Sequence, residues 1–335
     1  MPNQPARKAR EQLVRAGEGE IQAEEFNLQS LSAQERAQAN KIATAINAIM
    51  LKGLLNRADP ARYPVVADSE RLENQSAALA RTIKPQAFER LRPRLMSLAS
   101  DPARLQRMLG DHAGDLNAVG IDRKVEPLLP PRSTATAPAN VVPRSGHLYN
   151  RAHLILRALH CVDETNPENG TDDMVLAGLR IGASGNVGVI NGIVCGEFND
   201  DTYRNFGEMY LGQYSLNTTP GYPKHLYAIF KLVESDSDDR EVAEQLTSTL
   251  SFLASTILSV LTSPMVGATV GALISSIGGF ISNLIDEDEF PPYGIRLTLN
   301  SEGQFGGPVG PKFHTGNISG HGGSYRLGLR WVLAP

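Results

Sequence analysis

Apolar and polar positions along this chain change their rhythm three times. From Ser32 onward apolar residues recur at three- and four-residue intervals: Ile42, Ile46, Ile49, Met50 and Leu54 form one series, and Phe88, Leu91, Leu95 and Leu98 another. That spacing predicts amphipathic helices over residues 1 to about 125. Ser32 with Glu35 makes a capping box that starts the first helix. Pro85 suits the first turn of the second, which Pro93 is expected to kink or shorten. The tetrapeptide Asp-Pro-Ala-Arg, at 59–62 and 101–104, reads in both places as a helix start, with Asp as N-cap and Pro at the first helical position.

Residues 126–144, EPLLPPRSTATAPANVVPR, carry no period and read as a semi-extended linker. Beyond them the apolar runs become short: HLILRALHCV, DMVLAGLRIG, VGVINGIVCGEF, LYAIFKLVE, YGIRLTLN and YRLGLRWVL, separated by Gly, Asn, Asp and Pro. Such runs predict the strands of an antiparallel β-sandwich. The expected fold class is α+β: a helical region 1–125, a Pro-rich linker 126–144, and a sandwich domain 145–335 with a helical hairpin inserted at 246–285.

The insert interrupts the charge pattern. Residues 245–285 contain no Asp, Glu, Lys or Arg, in a chain of which 20% is charged. Ser263-Pro264 divides the stretch into halves of about twenty residues, the length of a bilayer-crossing helix. The first half sets Leu246, Leu250, Leu253, Ile257 and Val260 on one stripe, and Ser and Thr hydroxyls on the other side. Hydroxyls without charges bond back to their own helix or across to a neighbour, which suits lipid or a protein interior. The second half lines up Gly267, Gly271, Ser275, Gly278 and Ser282. Each glycine costs on the order of 1 kcal/mol in an exposed helix, and a small-residue stripe offsets this by admitting another helix closely. Two readings follow. The hairpin is sheltered in one form of the protein and inserted into a bilayer on activation, or it is a permanent core or homo-oligomer interface; a constitutive membrane hairpin is the remaining alternative. The acidic run 286–289 closes the stretch, and its neutralisation by acid or Ca²⁺ is expected to raise association with anionic lipid.

Two loops concentrate oxygen ligands: Asp163, Glu164, Asp172 and Asp173 after one strand, and Glu234, Asp236 and Asp238 after another. Carboxylates so close repel unless a cation or solvent neutralises them, and hard oxygens on loops suit Ca²⁺. The pattern of a strand followed by DxDD resembles the calcium loops of C2-like domains. Taken with the acidic turn after Cys161, the Gly-spaced hairpin ending in Asp/Glu-Phe-Pro and the terminal GHGG-x-Tyr strand, residues 150–335 resemble uncharacterised bacterial C2-like β-sandwich domains. The resemblance implies the sandwich and the domain boundary and no established activity.

Composition narrows the field. The formal net charge of −4 supplies no global basic field, so nucleic acid is not an expected partner. The basic N-terminus lacks an apolar core after it and does not read as a signal peptide. The chain is therefore expected to be made in the cytoplasm and, as an effector, exported by a dedicated injection system engaging the N-terminal helices. Cys161 and Cys195 cannot make a disulfide framework and predict two buried free thiols, the alternative being that they pair with each other if the fold sets them on neighbouring strands. None of the seven histidines stands in a zinc spacing, and no nucleophile elbow, P-loop or dinucleotide fingerprint is present. The GASGNVG run at 182–188 and the GHGG at 320–323 read as turns. The expected function is a membrane-targeting or pore-forming effector, with a structural or assembly protein as the alternative and no enzymatic activity.

Overall fold

The computed structural model describes residues 24–65, 72–113, 149–165, 171–218, 221–235, 238–260, 266–280, 284, 288–301 and 304–335. The linker 126–144 lies outside them. Among the described residues four α-helices precede it: α1 (Ala33–Ala58), α2 (Leu72–Ala80), α3 (Pro85–Ala99) and α4 (Pro102–Leu109). The capping box forms: Ser32 Oγ accepts the Glu35 amide at 3.2 Å, and Glu35 accepts the Ser32 amide at 2.9 Å. α3 runs through Pro93, because Phe88, Leu91, Leu95 and Leu98 are buried on both sides of it. The two Asp-Pro-Ala-Arg copies differ. Asp101 caps α4 by accepting the amides of Ala103 and Arg104, whereas Asp59 ends α1 and stabilises the turn after it through the Arg62 amide. The expectation of a helix start at 59 fails because the apolar series of α1 continues to Leu55, leaving Asp59 at its C-terminus.

The described strands form two antiparallel sheets. The first has β1 (Glu24–Phe26), β8 (Tyr293–Leu299), β6 (Lys224–Glu234), β3 (Asp172–Ile181) and β4 (Val187–Phe198) in that order, with β7 (Asp288–Glu289) pairing β6. The second runs β10 (Ile318–Gly320), β11 (Gly323–Ala334), β2 (Arg151–Asp163) and β5 (Tyr203–Ser215), with β9 (Val309–His314) pairing β11. Alternation decides what each strand buries. On β6, Leu226, Ala228, Phe230 and Leu232 join Leu154, Leu156, Tyr325, Leu327 and Trp331 of the second sheet in one core. The intervening Tyr227, Ile229 and Val233 point the other way, into a second core that they share with the helices. The inner strands β3 and β6 of the first sheet are therefore buried on both faces, which explains why they read as nearly continuous apolar runs.

Two further helices, α5 (Asp239–Val260) and α6 (Val266–Phe280), lie between β6 and β8. Each has its own partner. Among the described residues α5 packs on β3 and β4, and α6 packs along α1. At the α5 contact Gly192 of β4 is needed for close approach, since a Cβ there would lie 2.3 Å from the Ala243 carbonyl oxygen. Its amide donates to Thr247 Oγ1 at 2.7 Å. We expect Gly192→Ala to lower stability by about 1–3 kcal/mol through overpacking, as read by urea denaturation. An unchanged midpoint would mean that α5 shifts freely on the sheet. α1 is the central helix of this layer. From Ile42 to Asn56 all but Thr44 are buried, including Lys52, which meets Glu73 of α2 at 3.3 Å.

Candidate functional site

The acidic positions do separate jobs. Asp172 and Glu234 are buried, 3% and 4% exposed. The Thr165 hydroxyl joins them, 2.7 Å from Asp172 Oδ1 and 2.5 Å from Glu234 Oε2. Asp172 Oδ2 also accepts the Thr165 amide at 2.7 Å and the Tyr325 hydroxyl. Asp173 uses its main chain, its carbonyl accepting the Ser235 amide at 2.7 Å. Asp238 caps α5 through the Arg240 amide at 2.9 Å. Asp163 ends β2, and the Glu164 amide donates to Asp200 at 2.9 Å. Asp236 lies outside the described residues. Among those that are described, no three acidic, His or Cys side chains converge in a metal-holding group. Burial, then the nearby charges of Asp200, Asp172 and Asp163, pushes the Glu164 carboxyl up, and burial with Asp239 and Glu197 does the same to Asp173.

Thr165 was not singled out in the sequence, and Tyr325 entered only as the last residue of the GHGG-x-Tyr motif, with no site role. The signal for Tyr325 was its parity: it shares a side of β11 with Leu327, Leu329 and Trp331. Its ring meets Phe198 and Phe290 edge-on, with centroids 5.9 and 5.3 Å away. The GHGG motif before it forms a two-residue turn. Gly320 pairs with Gly323, and both His321 and Gly322 have positive φ, 50° and 88°.

Both cysteines are free and buried in the inter-sheet core. Burial pushes the Cys161 thiol up to about 11 and Cys195 up to about 12. Because the thiolate is the reactive form, neither should react with Ellman's reagent at about pH 8 until the protein unfolds. Rapid labelling of the native protein would contradict this burial.

The small-residue stripe of α6 faces the chain's own segments. A Cβ on Gly271 would meet Leu31 Cδ1 at 2.5 Å and Ala39 Cβ at 3.1 Å. Ser275 Oγ lies 3.4 Å from Asn40 Oδ1, and Gly278 faces the Pro292 ring. Gly267 is in the first turn of α6, and Ser282 lies outside the described residues. On α5, Thr247, Thr249, Ser251 and Thr256 hydroxyls bond back to carbonyls four residues earlier at 2.7–2.9 Å. No helix among the described residues is long and apolar enough to cross a membrane.

A polar cavity of about 480 Å³ opens between the sheets where the GASGNVG turn meets β5. Arg180, Ser184, Asn186, Tyr210 and Gln213 line it. The Arg180 side chain occupies a slot that Cβ atoms on Gly188 or Gly212 would fill, and its Nη1 donates to the Gln213 carbonyl. The glycine run was visible in the sequence, but an arginine reaching across from β3 was not. Comparison with protein-family models, with curated proteins and with solved structures gives no match, so function is argued from this geometry.

Proposed function

We propose that this chain is a non-catalytic binding and assembly protein in which the charge-free segment is a permanent internal core. The C2-like sandwich is part of this reading, supported by two antiparallel sheets around one core with acidic loops where β2 and β6 end. One observation carries it. The face of α6 built for close helix packing is filled by Leu31, Ala39 and Asn40 of the chain's own N-terminal region. A face filled from within is not available to lipid or to a second copy, so the working surface lies elsewhere, on the open face of the second sheet.

The membrane-active effector is the second reading, favoured by the same covering: α1 lies where a detachable shield for α6 would lie. Calcium or acid belongs to this reading as a trigger, acting on carboxyls such as Glu164 and Asp173, which burial first and neighbouring negative charge second push up. An Asn40→Cys/Ser275→Cys bridge locks α1 to α6. Dye release from anionic liposomes, with and without Ca²⁺ and at acidic and neutral pH, separates the readings. The permanent core predicts no release in either redox state. Release by the reduced form alone would establish the shield.

A further inference from the structure

The charges of this chain are sorted by strand alternation. On the outer face of the second sheet stand Arg151 and Arg157 of β2, Arg326 and Arg330 of β11, and Lys312 of β9, while Ala152, Leu154, Leu327, Leu329 and Trp331 turn inward. Register ties these side chains to one surface: Arg330 pairs with Lys312, and Arg326 with His160. The carboxylate that reaches them is Glu208, at 2.6 Å from Arg157 and 2.9 Å from Arg330. Arg157 and Arg330 are 22% and 17% exposed and share Glu208, so among the described residues Arg151, Arg326 and Lys312 are the exposed cations that make this face basic on a chain of formal net charge −4. Two aromatic rings rise from the same plane. Tyr203, paired with His160, is 56% exposed, and Tyr210, edge-on to His153 at 5.3 Å, is 53% exposed. The polar cavity adjoins Tyr210, and its arginine, amides and hydroxyl offer both donors and acceptors.

We infer that this face binds single-stranded nucleic acid, a partner that rests on reading the open sheet face as the working surface. Charge complementarity draws a polyanion to the plane. Exposed tyrosine rings add what a phosphate backbone alone does not require, because unstacked bases have π-faces to lay on them. A flat sheet face does not enter the grooves of a duplex as a helix or a two-stranded ribbon does. Against anionic lipid stands the scarcity of apolar side chains: Val309 is the exposed aliphatic residue that β9 contributes. A hydrogen-bonding cavity beside Tyr210 serves a base edge and has no counterpart in a need for lipid headgroups.

The test uses the full chain and fluorescein-labelled oligo(dT) and oligo(U), read by anisotropy over a salt series. Four or so neutralised phosphates give a slope of log K against log salt of about −3. Arg151→Ala and Lys312→Ala should each reduce that slope by roughly 0.7. Tyr203→Ala and Tyr210→Ala should each weaken binding about tenfold with the slope unchanged, and the Phe variants should retain it. Unaltered thermal melts exclude misfolding as the cause. A chain that binds neither oligonucleotide, or binds a duplex equally well, or shows no tyrosine effect overturns the proposal. Binding to phosphatidylserine vesicles without dye release, in place of oligonucleotides, overturns the nucleic-acid assignment while the working face survives. Vesicle binding with release removes the permanent-core reading itself.

Discussion

Replacing Glu289 by alanine is expected to destabilise the protein by about 3–5 kcal/mol, among the largest effects of any single side-chain truncation. Lys231 lies on the helical face of β6 and is 1% exposed. Its ammonium donates to the Phe290 carbonyl at 2.6 Å and pairs with Glu289 at 2.7 Å. Removing the carboxylate leaves a buried cation with one main-chain partner. Removing both charges, in Lys231→Met/Glu289→Gln, should return most of the loss, since a buried pair is often no better than apolar packing. Urea unfolding of the single and double variants reads the difference, and a Glu289→Ala protein within 1 kcal/mol of the parent, roughly the scale of a surface pair, would show that water reaches Lys231. Burial holds the Lys231 ammonium below its ordinary range, and the Glu289 charge partly restores it. The native state thus binds fewer protons than the unfolded chain as pH approaches the ordinary lysine value, so stability rises with pH in that window. The rise should be steeper and begin at lower pH in Glu289→Ala.

Thr165→Val should cost about 2–4 kcal/mol, because it removes one hydroxyl from two buried carboxyls at once. Asp172 keeps the Thr165 amide and the Tyr325 hydroxyl, whereas the Glu234 oxygen loses a contact of 2.5 Å. Thr165→Ser restores the hydroxyl and should remain close to the parent, which separates the lost hydrogen bonds from a change of shape. Equal melting temperatures for the Val and Ser variants would dismiss the hydroxyl as the link between β3 and β6. The expected loss also bears on calcium, since a cation bound at these oxygens would make the Val variant's deficit depend on added Ca²⁺.

Much of the fold was legible because both periods are clean. The capping box at Ser32, the series in α3 and the six apolar runs all became the expected elements. β5 was missed, since YRNFGEMYLGQYS exposes an edge with glycines and tyrosines in place of a Val/Ile alternation. The glycine stripe on α6 announced close packing, but nothing local named α1 as its partner, because that contact joins residues more than two hundred positions apart. Lys52 and Lys231 look like surface residues until their carboxylates are placed beside them. The basic plane was within reach: in YRLGLRWVL, Arg326 and Arg330 share one parity and the core residues the other. Summing the charges to −4 concealed what alternation had separated.

The pairing of β1 with β8 and of α1 with α6 has a consequence for how the chain is made. α1 leaves the ribosome before α6, and the residues that cover it around Gly271 come more than two hundred positions later. At about 5–20 residues per second, its apolar surface waits on the order of ten seconds or longer for its native partner. Docking of α6 on α1 therefore waits until both have been made, a long-range step that is slow by contact order and open to capture by chaperones in the interval.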